Sequence, residues 1–328
     1  MRALICNDYG SPEYLSIEER DDPVPGERQI AFDVRAAGLN FADVLIIAGK
    51  YQVQTPPPFI PGNEAAGIVT AVGRNVTRFS VGDRIIGALR GGAFAEKALV
   101  DEDLAIPLPE TMSFEQGAAY SVAYGTSYHA LKQGANLQPG ETVLVLGAAG
   151  GVGNTAVEIA KAMGGHVIAA ASTDEKLAFA KEAGADETIN YYDMPLKDTV
   201  KALTGGKGVD VVYDPVGGEL SEQALRATGW HGRYLVVGFA SGDIPKLPAN
   251  LPLLKEASIV GVWWGPWAAR HTDEMRVNMQ ELETMVAEGK LLPRVTRAFA
   301  LDEFVGAFRL ITERRVLGKV VLTFDPGK

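Results

Sequence analysis

The sequence predicts an α/β protein in which a doubly wound parallel-sheet domain is inserted into a mostly β domain, and three observations carry that prediction. Thr142 to Gly153 reads TVLVLGAAGGVG, an apolar run followed by a glycine-rich turn. Beyond it, apolar runs of strand length alternate with stretches of helical periodicity, as parallel α/β order requires. The first 120 or so residues instead break into short β-like pieces punctuated by Gly and Pro, and the chain closes on one more strand, Gly318 to Phe324.

Within the organising stretch, Val143 to Leu146 lacks polar alternation, so it reads as a strand covered on both faces. Gly147, Gly150, Gly151 and Gly153 supply a turn with almost no side-chain bulk. Thr155 to Met163 then places Val157, Ile159, Ala160 and Met163 at helical spacing, and a second strand, His166 to Ala171, follows at crossover distance. Strand, glycine turn and helix form a dinucleotide phosphate cradle, with backbone N–H groups and the positive helix end facing the pyrophosphate. The spacing is G-x-x-G-x-x-G, so the surrounding strand and helix carry the assignment more than the glycines alone.

A chain of 328 residues can bury a large core and form two domains. Its 41 acidic against 31 basic residues give a net charge of −10, which argues against a nucleic-acid surface. One cysteine, Cys6, excludes an internal disulfide and any multi-cysteine zinc lobe. MRALICNDYG reads as a short strand rather than a signal peptide, and no apolar run reaches membrane-spanning length, so a cytoplasmic protein is expected.

In order, strands are expected at Ala3 to Ile5, Gln29 to Ala36, Gly67 to Val72, Arg84 to Gly87 and Ala93 to Val100. Gly38 to Lys50 reads as a loop and short helix, and Pro56 to Pro58 as an extended segment. Ser113 and Gln116 have capping-box spacing at a helix start, and a second helix runs from about Gly125 through Leu131. The parallel strands are Val143 to Leu146, Val167 to Ala171, Glu187 to Asn190, Val209 to Tyr213, Tyr234 to Val237 and Ser258 to Gly261. Met275 to Glu288 is a helix with Met275, Met279, Leu282 and Met285 on one core stripe, and Leu301 to Thr312 is another. The last strand would return to the first domain's sheet, which makes that domain discontinuous.

Across essentially its whole length the chain resembles the medium-chain dehydrogenase/reductase superfamily, and within it the zinc-free NADPH:quinone oxidoreductase branch. The residues that carry the resemblance are RAAGLNFADVL at 35–45, PFIPGNEAAGIV at 58–69, VGDRI at 81–85, GAAGGVG at 147–153, DVVYDPVGG at 210–218 and GKVVL at 318–322. It implies a GroES-like β catalytic domain at 1–121 and 265–328, with a Rossmann-like NADPH-binding domain at 122–264 and the active cleft between them. It also implies a homodimer joined through nucleotide-domain edge strands, with Ser258 to Gly261 as that edge.

The cofactor follows from the end of the second parallel strand. NAD sites usually place Asp or Glu there, whereas this strand stops at Ala171 and Ser172, with Lys176 beyond. A hydroxyl and an ammonium suit a 2′-phosphate that a carboxylate would repel, so NADPH is expected. Ser172 to Glu175 also has capping-box spacing, and Lys176 would serve equally as a solvated helix residue. The resemblance adds Tyr191 to the phosphate pocket, Asn40 and Thr126 near the nicotinamide, Gly150, Gly151 and Val152 on the pyrophosphate, and Phe239, Ala240 and Ser241 after the fifth strand. Trp263 and Lys319 are further cofactor candidates, although each tryptophan of GVWWGPW could equally be packing.

Zinc alcohol dehydrogenases hold their metal with Cys, a GHE histidine and a second Cys or Asp. The matching positions here read Asn40 and Gly62-Asn63-Glu64, and a neutral amide is a poor zinc ligand. Tyr128 and Lys132 have Tyr-x-x-x-Lys spacing but precede the glycine loop, so they read as helix neighbours. What remains suits an electron-poor acceptor: a quinone, whose oxyanion is resonance-stabilised after hydride arrives, or an activated alkene such as an enone or 2-haloacrylate. Tyr51 is the expected polar residue toward the substrate, with packing on Pro56 to Pro58 as its competing role; Asn40 would position the nicotinamide or the acceptor, and Asp43 would organise the loop that carries Asn40. A nucleotide-binding, crystallin-like protein without turnover is the reading from a different class.

Overall fold

The structure, a computed structural model, describes residues Met1–Asp325, and two units make it up. One comprises Met1–Val122, Gly265–Met279 and the segment from Pro293 onward; the other comprises Ala123–Trp264 and Gln280–Leu292.

The first unit opens with an antiparallel hairpin of β1 (Arg2–Cys6) and β2 (Leu15–Glu19). Its main sheet is built on β3 (Gln29–Leu39), with β4 (Glu64–Val72), β5 (Arg84–Ala88), β6 (Lys97–Asp101) and the short β7 (Ala105–Pro107). β3 runs three residues beyond its expected end because it serves three partners. β4 pairs along most of its length, β6 takes Gln29–Asp33, and a C-terminal strand takes Ala36–Leu39. Ala93–Glu96 lies outside the strand expected at 93–100: Ala95 makes only an isolated bridge to Ala3, and regular pairing begins at Lys97. The Pro57–Pro58 peptide bond is cis.

The second unit holds β8 (Thr142–Leu146), β9 (His166–Ala171), β10 (Glu187–Asn190), β11 (Val209–Asp214), β12 (Thr228–Val236) and β13 (Ser258–Gly261). All are parallel, in the order β10-β9-β8-β11-β12-β13, which is the doubly wound arrangement with its reversal at β8. Val143–Leu146, Val167–Ala171 and Val211–Tyr213 are fully buried, as strands covered on both faces must be. β12 begins at Thr228, six residues earlier than expected. Its first part, TGWHGR, contains two glycines and a left-handed His231 with φ of 57°, a pattern that reads locally as a turn. The pairing with β11 shifts register there.

The chain closes the first unit's sheet with β14 (Val295–Ala300) and β15 (Lys319–Thr323). β15 lies parallel to β14 and antiparallel to β3, so the terminal strand does find its partner more than 270 positions away in the sequence, as Val320 opposite Leu39. In the helix Thr272–Ala287, Met275, Met279 and Leu282 are buried while Met285 is only partly covered, so the expected core stripe fades in its last turn.

Candidate functional site

In the second unit the nucleotide elements gather at one edge. Parallel pairing sets Leu146 beside Ala170, Ala171 beside Asn190, and Asp214 beside Val236, so the residues that follow β8 to β12 all leave the sheet on the same side. This is the edge at which doubly wound sheets bind ligands.

The glycine turn shows why it needs glycines. Gly147 has φ of +57°, and a Cβ at Gly153 would stand 2.1 Å from the Gly147 carbonyl oxygen. The helix begins at Gly151, four residues before the expected start, because close approach to β8 outweighs glycine's poor helix propensity. Gly150 is the N-cap and offers no side-chain acceptor, so the first-turn N–H groups are left for an anion. Gly150, Gly151 and Val152 are partly exposed there. Ser127 ties the neighbouring helix Ser121–His129, which carries the half-buried Thr126, to this turn. Its Oγ donates to the Val152 carbonyl at 2.9 Å and also meets Thr155 Oγ1 and Tyr213 Oη.

At the end of β9, Lys176 Nζ donates to Ser172 Oγ across 3.1 Å. The cap of the helix Asp174–Glu182 is Thr173, whose Oγ1 accepts the Lys176 N–H at 3.3 Å. The capping role expected for Ser172 therefore belongs to its neighbour, because Thr173 is the residue with extended backbone directly before the helix. Ser172 is freed to present its hydroxyl beside the ammonium. Asp174 is exposed in the first helical turn, where a carboxylate complements the helix dipole. Tyr191 follows β10, half-buried, with its ring edge-on to Tyr192 at 5.3 Å.

Phe239–Ser241 follow β12 and are pinned to the turn after β11: Ala240 N–H donates to the Pro215 carbonyl at 3.0 Å and Ser241 N–H to the Val216 carbonyl at 2.8 Å. That turn is held in its own right by Asp214, which is buried. Its Oδ1 accepts the Val216 and Gly217 N–H groups at 2.7 and 2.9 Å, and its Oδ2 accepts from Ser221 Oγ at 2.7 Å and from the Tyr234 hydroxyl. Burial and the adjacent carboxylate push the Tyr234 phenol well above its ordinary range, so it stays a donor. Sequence reasoning found the DPVGG segment but not this role for its aspartate. Trp263 is 50% exposed beyond β13, whereas Trp264 is buried, so Trp264 takes the packing role of the pair.

Tyr128 and Lys132 both bond Glu281, the tyrosine from its hydroxyl at 2.7 Å and the lysine by an ion pair, and the ammonium lies over the tyrosine ring at 5.2 Å. Burial first, then Glu281, raises the phenol above its ordinary range. That arrangement ties helices together and keeps the tyrosine protonated.

In the first unit three strand ends converge. β3 ends at Leu39, β4 starts at Glu64 and β15 starts at Lys319; the register Ala37–Ala65 and Leu39–Val320 brings them together. Glu64 is fully buried and Lys319 is 4% exposed. Lys319 Nζ donates to the Leu39 carbonyl at 3.2 Å, to Asn40 Oδ1 at 2.6 Å and to Glu64 Oε1 at 2.7 Å. Glu64 Oε1 also accepts Asn40 Nδ2 at 2.9 Å, and its Oε2 accepts Ser121 Oγ at 3.1 Å and Val122 N–H at 2.9 Å. This distant carboxylate starts the helix Ser121–His129 four residues before the expected position. Gly38 admits the cluster, since a Cβ there would lie 2.5 Å from Glu64 Oε1.

Asp43, also fully buried, accepts the Asn40 N–H at 2.8 Å and Asn63 Nδ2 at 2.7 Å. Burial pushes its carboxyl up to about 7, against the pull of the Asn40 N–H and of Lys319. The residues at the zinc-ligand positions are thus two amides and a carboxylate already paired with an ammonium. Such a set fits no zinc ion, since the amides are weak ligands and Lys319 holds the charge that would attract a cation. Tyr51 is half-buried in the bend after the helix Phe41–Ile47, and its hydroxyl has no polar partner among the described residues.

The architecture is a GroES-like domain carrying an inserted Rossmann-like nucleotide domain. Residues 26–110 match the alcohol dehydrogenase GroES-like domain family, and residues 151–283 match the zinc-binding dehydrogenase family. The chain is 40% identical over 324 residues to a quinone oxidoreductase-like protein 2 homolog of Nematostella vectensis, covering 98% of this chain and 88% of that one. It superposes with a TM-score of 0.93 on an Escherichia coli quinone oxidoreductase complexed with NADPH, at 31% identity and covering 99% and 100% of the two chains. A CurK enoyl reductase structure gives a TM-score of 0.90 at 27% identity, covering 99% of each. The chain belongs to the medium-chain dehydrogenase/reductase superfamily, in its zinc-free quinone oxidoreductase branch.

Proposed function

We propose that the protein is an NADPH-dependent quinone oxidoreductase that works without a metal. The observation that carries the cofactor choice is the Lys176–Ser172 pair at 3.1 Å on a strand end without a carboxylate. It fits a 2′-phosphate, with Tyr191 as the third member. Gly150, Gly151 and Val152 fit the pyrophosphate, and Phe239, Ala240 and Ser241 the adjoining dinucleotide. The bound cofactor supplies hydride from C4 of its dihydronicotinamide to the acceptor.

The chain's own residues bind, orient and exclude water. Asn40 and Thr126 set the nicotinamide plane, and Asp43 fixes Asn40 through its backbone N–H. Tyr51 offers a hydroxyl to orient the acceptor carbonyl. A quinone asks for little acid assistance because its reduced oxyanion is delocalised, so an orienting hydroxyl is enough. Assay of NADPH oxidation against a panel of benzoquinones and naphthoquinones tests the reading; NADPH binding with no oxidation by any of them would favour a non-catalytic, crystallin-like role.

A second reading, reduction of an activated alkene, is supported by the likeness to an enoyl reductase. Rapid enone turnover with no quinone reduction in the same assay would select it. The protein is further proposed to be cytoplasmic and homodimeric. No helix among the described residues is long and apolar enough to cross a membrane. The edge strand β13, which pairs with β12 alone among the described residues, exposes Ile259 at 42%, which suits edge-to-edge pairing with a second copy.

A further inference from the structure

We infer that Lys319 and Glu64 are positioning residues that hold the Asn40 side-chain amide in a single orientation. The inference rests on the reading of Asn40 as a nicotinamide-facing residue of a quinone reductase. Lys319 has three N–H donors, and all three have acceptors: the Leu39 carbonyl, Asn40 Oδ1 and Glu64 Oε1. None is left for a cofactor phosphate or ribose, so the lysine acts through Asn40.

The two edges of the amide meet opposite charges. Oδ1 takes the ammonium at 2.6 Å, and Nδ2 gives a hydrogen to the carboxylate at 2.9 Å. Rotating the amide by half a turn would set donor against donor and acceptor against acceptor in a region from which water is almost excluded. One orientation is therefore populated: Nδ2 also reaches the Gly38 carbonyl at 3.5 Å, and one oxygen lone pair remains for a ligand. The Asn40 backbone is fixed separately, by Asp43 Oδ2 at 2.8 Å. Where relatives with zinc place a cation from solution, this chain places one from its own C-terminal strand, and it orders an amide rather than a reacting oxygen.

The test is the double substitution Glu64→Gln with Lys319→Met. It removes both buried charges together, so neither is left unpaired, and the glutamine amide oxygen still offers an acceptor for the Val122 N–H. The readouts are Tm, NADPH affinity by fluorescence titration, and kcat with 1,4-benzoquinone. The expected result is a folded protein that binds NADPH within about threefold of wild type but turns over about 30- to 100-fold more slowly, the cost of a misplaced orienting group. A folded double variant with wild-type kcat would overturn the inference.

Should that variant not fold, wild-type protein labelled with 15N-asparagine decides the matter. The Asn40 side-chain proton on Glu64 should exchange with solvent at least about tenfold more slowly than those of exposed asparagines. Equal exchange would refute a fixed amide. That measurement needs no turnover, and a wild-type enzyme that reduces no quinone would count against the functional reading alone.

Discussion

Lys176 sends its Nζ to Ser172 Oγ and its backbone N–H to Thr173 Oγ1, so one residue joins the strand end to the helix cap. In the proposed cofactor site this ammonium pairs with the 2′-phosphate. Lys176→Met should raise the KM for NADPH about 10- to 100-fold, the loss of one charge-assisted hydrogen bond of roughly 1.5–3 kcal/mol, and leave NADH kinetics nearly unchanged. Steady-state titration of both cofactors reads the difference.

Asp43 gives the protein a pH-dependent stability term of known sign. Its folded carboxyl is raised from 3.8 to about 7, so the folded state holds the proton more tightly. The contribution is complete below the unfolded value and is lost as pH rises from about 4 through about 7. At about 1.4 kcal/mol per pH unit, the full term is on the order of 4 kcal/mol. Asp43→Asn should flatten this slope, which urea unfolding at pH 5 and pH 8.5 would show as a smaller difference than in wild type.

Asp214 satisfies two backbone N–H groups and two hydroxyls inside the core. Asp214→Ala orphans all four and should destabilise the protein by about 3–5 kcal/mol. It should also weaken NADPH binding, since the turn it holds supports Phe239–Ser241. Chemical unfolding and a binding isotherm measure the two effects separately.

Much of this was legible in the sequence where the cause is local. The β8 strand and glycine turn, the limits of β9, β10 and β13, and the Ser113–Gln116 cap each follow from neighbours within a few residues. What escaped depends on distant partners. Nothing near Lys319 announces that it will meet Glu64, 255 positions earlier. The helix start at Ser121 depends on the same carboxylate. Asn63, read only as a missing zinc ligand, proves to be a hydrogen-bond donor to Asp43. The Thr173 cap was local, but two adjacent hydroxyl residues compete for it and only the backbone conformation separates them.

β13 offers a direct test of assembly. Ile259→Lys places a charge on the exposed edge and should convert a homodimer into a monomer of 34.9 kDa in sedimentation equilibrium. A wild-type protein already sedimenting as a monomer would count against edge pairing.

The central claim is metal-independent hydride delivery from a 2′-phosphorylated cofactor. The most direct measurement is kcat/KM with 1,4-benzoquinone for NADPH and for NADH, each with and without a strong chelator. The account predicts an NADPH preference of at least about tenfold, from the charge-assisted contacts to the extra phosphate, and no change with chelator. A preference for NADH, or activity that vanishes on chelation and returns with zinc, would contradict it.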